Sequence, residues 1–333
     1  MPSRTTIRDV AAQAGVSVAT VSKVLNARYG VSAVTQARVQ QVIDELGYQS
    51  SIVASSLRSH RTGVLGVLVA DLEPFSTELL KGVAAAVRGT GYELVVYSAG
   101  GRSEERIGWE RRYLSRLGGT LIDAAVLVTP TVVDADNGLP VVAVDPHAGA
   151  SSVPTVSADN ERGARLAVDH LLGLGHRRIA FISGWPGLES TRLRHQGYRA
   201  SLAAAGVPED PALVLEGDAT QERAHALALD LLRRPEPPTA VFAGNDMAAL
   251  GVLAAARELG IAVPGRLSVV GFDNVPEAVM ATPALTTVEQ PMQAMGEQAL
   301  RMLLELLAGG SPPPRVVLDT HLVLRHSTAV ARS

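Results

Sequence analysis

The sequence predicts a small all-α N-terminal domain followed by a two-lobed α/β domain built on parallel sheets. Three observations predict this. Up to about residue 48, apolar residues recur at three- and four-residue spacing, the period of a helix face. From residue 63, short continuous apolar runs alternate with amphipathic helical stretches, the mark of strands buried on both faces. That alternation occurs twice, over roughly 63–160 and 161–288.

At 333 residues the chain is too long for one ordinary small domain. Apolar residues make up 47% and aromatics only 4%, so Leu, Val and Ala must build the core. There is no cysteine, which excludes disulfides and thiolate metal sites and is consistent with a reducing compartment. The start, MPSRTTIRDV, has no apolar leader, and no apolar run approaches the roughly 20 residues of a membrane helix. These features lead us to expect a cytoplasmic protein. The net charge of −3 hides an asymmetry: residues 1–62 hold seven basic and three acidic side chains, and the remainder is −7. A positive head on a negative body suits a chain that sets one end on phosphate, although many solvated surfaces look similar.

In the head, Ile7, Val10, Ala11 and Ala14 form one helix face, with Thr6 as N-cap and Asp9 as its capping partner. Gly15-Val16 breaks this helix, and Ser17 caps a second whose inward face is Val18 in part, Val21, Val24 and Leu25. A third helix from about Val34 to Leu46 carries Ala37, Val39, Val42, Ile43 and Leu46, and Gly47 suits its C-cap. Two short helices around Gly15-Val16-Ser17 match a helix-turn-helix. A helix fits the major groove of DNA, and the exposed positions here are Ser17, Val18, Ala19, Ser22 and Lys23. Short Val18 and Ala19 could meet thymine methyls, and Lys23 a guanine or a phosphate. Arg8, Arg28 and Tyr29 are placed to hold phosphates. The alternative is a helical hairpin that only packs.

In the body, the expected strands are Val64–Val69, Leu94–Tyr97, Ala124–Val128, Val141–Val144, Ile179–Ile182, Val214–Leu215, Ala240–Ala243 and Leu267–Phe272. Helical stretches at Leu79–Arg88, Ala164–Leu174, Gln196–Ala205, Arg223–Arg233 and Met247–Leu259 fall between them. Val316–Leu318 and Leu322–Leu324 add late strands, and the Ser-rich stretch 49–62 reads as a linker. No G-x-G-x-x-G follows the first strand, and there is no P-loop, G-x-S-x-G or metal-spaced His cluster. No enzyme, cofactor or metal site is therefore expected.

Residues 6–26, TIRDVAAQAGVSVATVSKVLN, closely resemble the head of the lac repressor family of transcription regulators, where DVA..AGVS..TVS.VLN recurs. Val31-Ser32, Thr35, Arg38-Val39 and Glu45-Leu46-Gly47-Tyr48 follow in family order. The resemblance adds Thr6, Ile7, Thr20 and Asn26 to the DNA-contacting positions. The family's hinge reads Tyr-x-Pro-Asn and then Ala-x-x-Leu. Here it is Tyr48-Gln49-Ser50-Ser51 and Ala54-Ser55-Ser56-Leu57, with two serines in place of Pro-Asn. By resemblance the hinge helix enters the minor groove, with Ala54 and Leu57 at the DNA and Leu57 wedged between base steps. Ordinary linker packing is the bland reading of Leu57.

The resemblance covers nearly all of 63–328, through Asp159-Asn160, Gly163, His170–Ile179, Asn245-Asp246, Ala249-Leu250-Gly251, Val263-Pro264, Val269–Asp273 and Leu324–Thr328. It implies a type I periplasmic-binding-protein-like sensor domain with three chain crossings and a ligand between two lobes. The implied domains are 1–48 (helix-turn-helix), 49–62 (hinge) and 63–333 (ligand binding and dimerisation). Lobe 1 would hold about 63–160 and 291–319, and lobe 2 about 161–288 and 320–330. Open parallel sheets bind ligands at strand carboxyl ends. Asp145, Asn245, Asp246 and Asp273 follow expected strands, Ser190 and Arg194 lie in the loop and helix start after Ile179–Ile182, and the resemblance implies that these positions, with Gln290, contact the ligand. Carboxylates and Arg make strong charge-assisted bonds with hydroxyls, which suits a sugar. Helix capping is the alternative for Asp246 and Asp273. Phe75 and Trp185 could stack on a ring or anchor loops. Before Phe75, Asp71–Ser76 runs one residue shorter than the family's Asp-Ile-x-Asn-Pro-Phe. His176-Arg177-Arg178 reads as the approach to a strand rather than a DNA contact. The implied partners are a near-palindromic double-stranded operator, a small-molecule effector and a second copy of the chain. No heptad tail follows Ser327-Thr328, which favours a homodimer over a tetramer.

Overall fold

The computed structural model describes residues 5–25, 29–46, 61–100, 108–132, 138–147 and 152–332. Asn26, Arg28, Ala54, Leu57 and the Tyr48–Ser51 stretch lie outside the described residues. The chain divides into two compact units, a helical head within Met1–Thr62 and a two-sheet body.

The head has α1 (Ile7–Ala14), α2 (Val18–Leu25) and α3 (Ala33–Leu46). Asp9 opens α1 by accepting from the Thr6 N–H and hydroxyl, both at 2.7 Å. Gly15, at φ 63°, closes it in the left-handed conformation that glycine adopts without steric cost. Ser17 Oγ accepts the Thr20 N–H at 3.1 Å and starts α2. Val10, Ala11, Ala14, Val21, Val24, Val39, Val42 and Ile43 form the head's core.

The body's first sheet contains β1 (Val64–Val69), β2 (Glu93–Ser98), β3 (Ala124–Val128), β4 (Val141–Val144), β5 (Thr155–Ala158) and β11 (Arg315–Leu318). Its order is β11-β5-β4-β3-β1-β2, all parallel. The second sheet contains β6 (Ile179–Ile182), β7 (Val214–Leu215), β8 (Ala240–Ala243), β9 (Ser268–Asp273), β10 (Thr286–Glu289) and β12 (His321–Val323). Its order is β12-β10-β9-β8-β6-β7, with β12 alone antiparallel. The chain passes between the sheets after β5, after β10 and after β11.

Helices cover both faces of each sheet, so the central strands β1, β3, β4, β6 and β8 are apolar and buried along their whole length. In the first lobe, α4 (Pro74–Ala86) and α11 (Met292–Leu307) pack along one face, burying Leu79, Val83, Met295 and Leu300 against Val67 and Val126. On the other face, α5 (Trp109–Leu117) buries Trp109 and Leu114 against Leu68 and Leu127. In the second lobe, α6 (Asn160–Gly173) and α7 (Glu189–Ala204) lie on one face. The other carries α8 (Gln221–Leu232), α9 (Asp246–Glu258) and the short α10 (Pro276–Met280).

Two helices begin earlier than their apolar periodicity suggests. Helix α4 starts at Pro74 rather than Leu79, because proline lacks an N–H exactly where the first helical turn has no partner for one. Helix α7 starts at Glu189 rather than Gln196, which makes Ser190 and Arg194 helical residues. Strands β5 and β10 and helices α5, α10 and α11 were not expected. Strand β10 reads as polar, yet Thr286 and Thr287 are fully buried because their hydroxyls are partnered. The Thr287 hydroxyl donates to Asp246, and the Thr286 hydroxyl accepts the Arg325 N–H.

Helix contacts in both lobes depend on missing side chains. A Cβ on Gly296 would lie 2.3 Å from the Leu79 carbonyl oxygen across the α4–α11 contact. One on Gly197 would lie 2.4 Å from the Glu161 carbonyl oxygen, forcing α7 off α6. Gly173, at the end of α6, meets nothing within 4 Å. Gly296→Ala should therefore destabilise the body by about 1–3 kcal/mol, as overpacking does. Gly173→Ala should be neutral or stabilise by up to about 1 kcal/mol. Urea unfolding of the two variants checks both signs.

Candidate functional site

In the head, the solvent face of α2 presents Ser17, Val18, Ala19 and Lys23, all exposed, with Thr20 and Ser22 half-buried beside them. Val18 is 40% exposed although the rest of the helix's valines are buried. A solvent-facing apolar side chain next to alanine and serine leaves a low surface that another molecule can approach closely. Arg8 and Thr6 are exposed on α1, and Tyr29 is fully exposed before α3. Ile7 is half-buried and packs against the head's core.

In the body, the carboxyl ends of parallel strands from both sheets meet at one cleft. Thr129 follows β3 and Asp145 follows β4 in the first lobe. Gly184-Trp185 follow β6, Gly244-Asn245 follow β8, and Asp273 ends β9 in the second. Glu73 and Phe75 come from the start of α4, Ser190 and Arg194 from α7, and Gln290 from the end of β10. The cleft encloses about 40 Å³.

Arg194 is the most constrained side chain there. Its Nε donates to Asn160 Oδ1 at 2.8 Å, and Nη1 donates to the Gly244 carbonyl. Its guanidinium carbon sits 3.8 Å above the centre of the Phe272 ring. Asp273 Oδ1 lies 3.7 Å from Nη1 and accepts from Gln290 Nε2 at 2.6 Å. Both charged groups are buried, where an unpaired ion would be very costly. Burial pushes the Asp273 carboxyl up to about 7; Arg194 and Gln290 oppose the rise, and Glu73 and Asp145 add to it. Gln290 Oε1 is buried with no hydrogen-bond partner.

The backbone is strained around the same cleft. Among the described residues, the non-glycine positions with positive φ are Thr129, Asp145, Ala219, Asp273 and Asn274. Four of these line the cleft, and Asn274 follows Asp273. Such conformations cost about 1–3 kcal/mol each and cluster at ligand sites. The sequence carries no signal for them, since a strained Thr or Ala looks like any other.

The structure brings Phe75, Asp145, Ser190, Arg194, Asn245, Asp273 and Gln290 together. Asp246 needs correcting as a cleft residue: it is fully buried behind Asn245, and its carboxylate accepts from the Thr287 hydroxyl and from the Val275 N–H at 2.9 Å. It ties α9 to β10 and to the turn after β9, and burial, then Asp273, hold its carboxyl well above the usual range. Asn245 lines the cleft and also caps α9, accepting the Ala248 N–H at 3.0 Å and donating to the Ala219 carbonyl. Trp185 lies in the cleft wall, whereas Thr129, Glu73, Leu188, Thr191 and Ala219 were not foreseen there. Among the described residues, no group of three or more His, Asp or Glu could hold a metal ion.

Asp273 makes stability depend on pH. A carboxyl near 7 in the folded state, against about 3.9 unfolded, contributes stability that is complete below pH ~4 and lost as pH rises through 7. The melting temperature of the wild type relative to Asp273→Asn should thus fall between pH 4 and 7 and then level off. A constant difference across that window would contradict this.

A model described as bacterial regulatory proteins, lacI family, matches residues 6–51, and a periplasmic binding protein-like domain matches 168–328. The chain is 36% identical over 329 residues to the ribose operon repressor of Halalkalibacterium halodurans, covering 97% of each. It is 36% identical over 343 residues to the HTH-type transcriptional regulator CelR of Thermobifida fusca, covering 97% of this chain and 98% of that one. Among solved structures, the lac repressor dimer bound to operator and the anti-inducer ONPF matches with a TM-score of 0.85 at 28% identity, over 98% of this chain and 100% of that one. The CelR–cellobiose complex matches with a TM-score of 0.70 at 34% identity, over 97% and 100%. Among the described residues, no helix is long and apolar enough to cross a membrane. With a helical head and two largely parallel sheets around a polar cleft, the chain belongs to the lac repressor family of bacterial transcription regulators.

Proposed function

We propose that this regulator is a cytoplasmic homodimeric repressor whose affinity for a near-palindromic operator is set by a sugar held between its two lobes. The observation that carries the reading is the cleft: Arg194, Asp273, Asp145, Asn245, Ser190 and Gln290 converge there, with strained backbone at Asp145 and Asp273. Charged and amide groups of this mix suit a neutral ligand rich in hydroxyls, with Phe75 and Trp185 offering ring faces. The names of the ribose operon repressor and of the CelR–cellobiose complex support a sugar.

At the DNA, the exposed face Ser17–Lys23 would meet base edges in the major groove, and Thr6, Ile7, Arg8, Asn26 and Tyr29 would fix the register. Ala54 and Leu57 would belong to the hinge, 49–62, between a head of 1–48 and a sensor of 63–333. Two heads in one dimer would reach successive major grooves, about 34–36 Å apart. No residue is assigned a catalytic role, and the relatives named above are regulators rather than enzymes.

Duplex binding by the intact protein should weaken steeply with salt, because phosphate contacts release counterions. Lys23→Ala should weaken every duplex and lower the log–log salt slope by about 1 if Lys23 holds a phosphate. If it reads a guanine, the loss of about 1–3 kcal/mol should be confined to one base position. A thermal-shift screen of mono- and disaccharides tests the cleft, since a bound sugar raises the melting temperature by mass action. Asp273→Asn should lose the response; an unchanged response would remove Asp273 from the site.

A further inference from the structure

Around Arg194 and Asp273 the two lobes leave about 40 Å³, room for only a few waters. Small-molecule sites run from about 300 Å³ upward. The lobes must therefore part before a sugar can enter, and the contacts that hold them together govern its passage.

One such contact is made by the backbone. His147, beyond β4 in the first lobe, forms an antiparallel bridge with Leu188, which precedes α7 in the second. Each partner is fixed on its own side. The His147 N–H donates to the Pro130 carbonyl at 2.9 Å, in the turn after β3. Leu188 closes the turn Trp185-Pro186-Gly187-Leu188, its N–H donating to the Trp185 carbonyl at 3.5 Å. Proline in second place and glycine in third, with Gly187 at φ 88°, are the marks of a type II turn, whose shape is preset by those two residues. Trp185 and Leu188 both line the cleft, so this turn carries part of the second lobe's wall across to the first. A Cβ on Gly187 would lie 3.2 Å from His147 Nδ1, so a side chain there would press on the imidazole. Beside the bridge, Glu189 of the second lobe and Arg315 of the first face one adjoining cavity with opposite charges.

We propose that the Trp185–Leu188 turn is a clasp that holds the lobes shut through His147, and that an effector enters and leaves only when this contact parts. The gating role rests on the reading of the cleft as the effector site; the clasp itself does not.

The chain has no cysteine, so the full-length double variant His147→Cys, Leu188→Cys carries a single thiol pair. Residues opposed in an antiparallel bridge have Cα atoms about 4.5–5.5 Å apart, within reach of a disulfide. Incubated with oxidised glutathione and no sugar, the variant should form an intramolecular disulfide in most molecules, read from intact mass and from mobility on a non-reducing gel. Calorimetric titration with glucose, galactose, ribose, cellobiose, maltose and lactose then compares the reduced and oxidised forms of the same variant. Any sugar bound by the reduced form should be lost by the oxidised one. A pair that stays reduced, or an oxidised form that binds as the reduced form does, would overturn the clasp. Should this variant fail to fold, or its reduced form bind none of the wild type's sugars, Gly187→Asn decides. Asparagine tolerates positive φ but places a side chain against His147, so acrylamide quenching of Trp185 should rise, Trp109 being buried. Adding His147→Ala should bring the quenching back down. Quenching unchanged in Gly187→Asn would overturn the clasp. If the wild type binds no sugar, the cleft reading fails, while disulfide yield and quenching still judge the clasp.

Discussion

The second lobe is organised around a buried guanidinium facing a buried carboxyl. Arg194 and Asp273 are both almost fully enclosed, and the protein holds them with an asparagine, a backbone carbonyl, an aromatic face and a glutamine. Burial costs both groups solvation, and the 3.7 Å separation does not fully offset it, since Asp273 stays near 7. On the proposed reading, a ligand hydroxyl would find groups already desolvated and fixed in place, and so would meet less of the ordering cost that usually limits affinity.

The rest of the body holds that pair in position. Asn160, which fixes Arg194, begins α6 just where the chain leaves the first sheet, so the arginine's geometry is tied to a lobe crossing. Helix α7 can lie close to α6 only because Gly197, three residues after Arg194, has no side chain. Asp246 joins α9 to β10 and to Val275 in the turn after β9, two residues beyond Asp273. Positive φ values at Thr129, Asp145 and Asp273 fall at strand ends around the cleft, and one at Ala219 falls in the loop before α8; such outliers cluster at ligand sites.

Much of this was legible in the sequence, for identifiable reasons. Strands buried on both faces are uniform apolar runs, so β1, β3, β4, β6 and β8 could be placed to the residue. Strands β5 and β10 could not, because Thr155, Ser157, Thr286 and Thr287 read as loop until their burial is known. Helix α5, WERRYLSRL, hides its buried Trp109, Glu110, Leu114 and Leu117 among charges. In the cleft, residue type and strand-end position pointed to Asp145 and Asp273, and the family resemblance to Arg194, which lies within helix α7. Side-chain direction did not follow from position. Asn245 faces the cleft and Asp246, its neighbour, faces away, because entering a helix turns successive residues by about 100°. Thr129 and Ala219 carry no chemical signal, and only the backbone reveals them.

The account joins a surface on the head to a cleft in the body, and such a link is a free energy that must act in both directions. The most direct test measures one coupling twice. A duplex selected from a random pool by the intact protein is titrated with and without a sugar from the thermal-shift screen. The same sugar is then titrated with and without that duplex. The account predicts that both affinities change by one common factor, about 5–150-fold for a typical coupling. A sugar that binds the cleft and leaves duplex affinity unchanged, or a protein that selects no duplex at all, would contradict it.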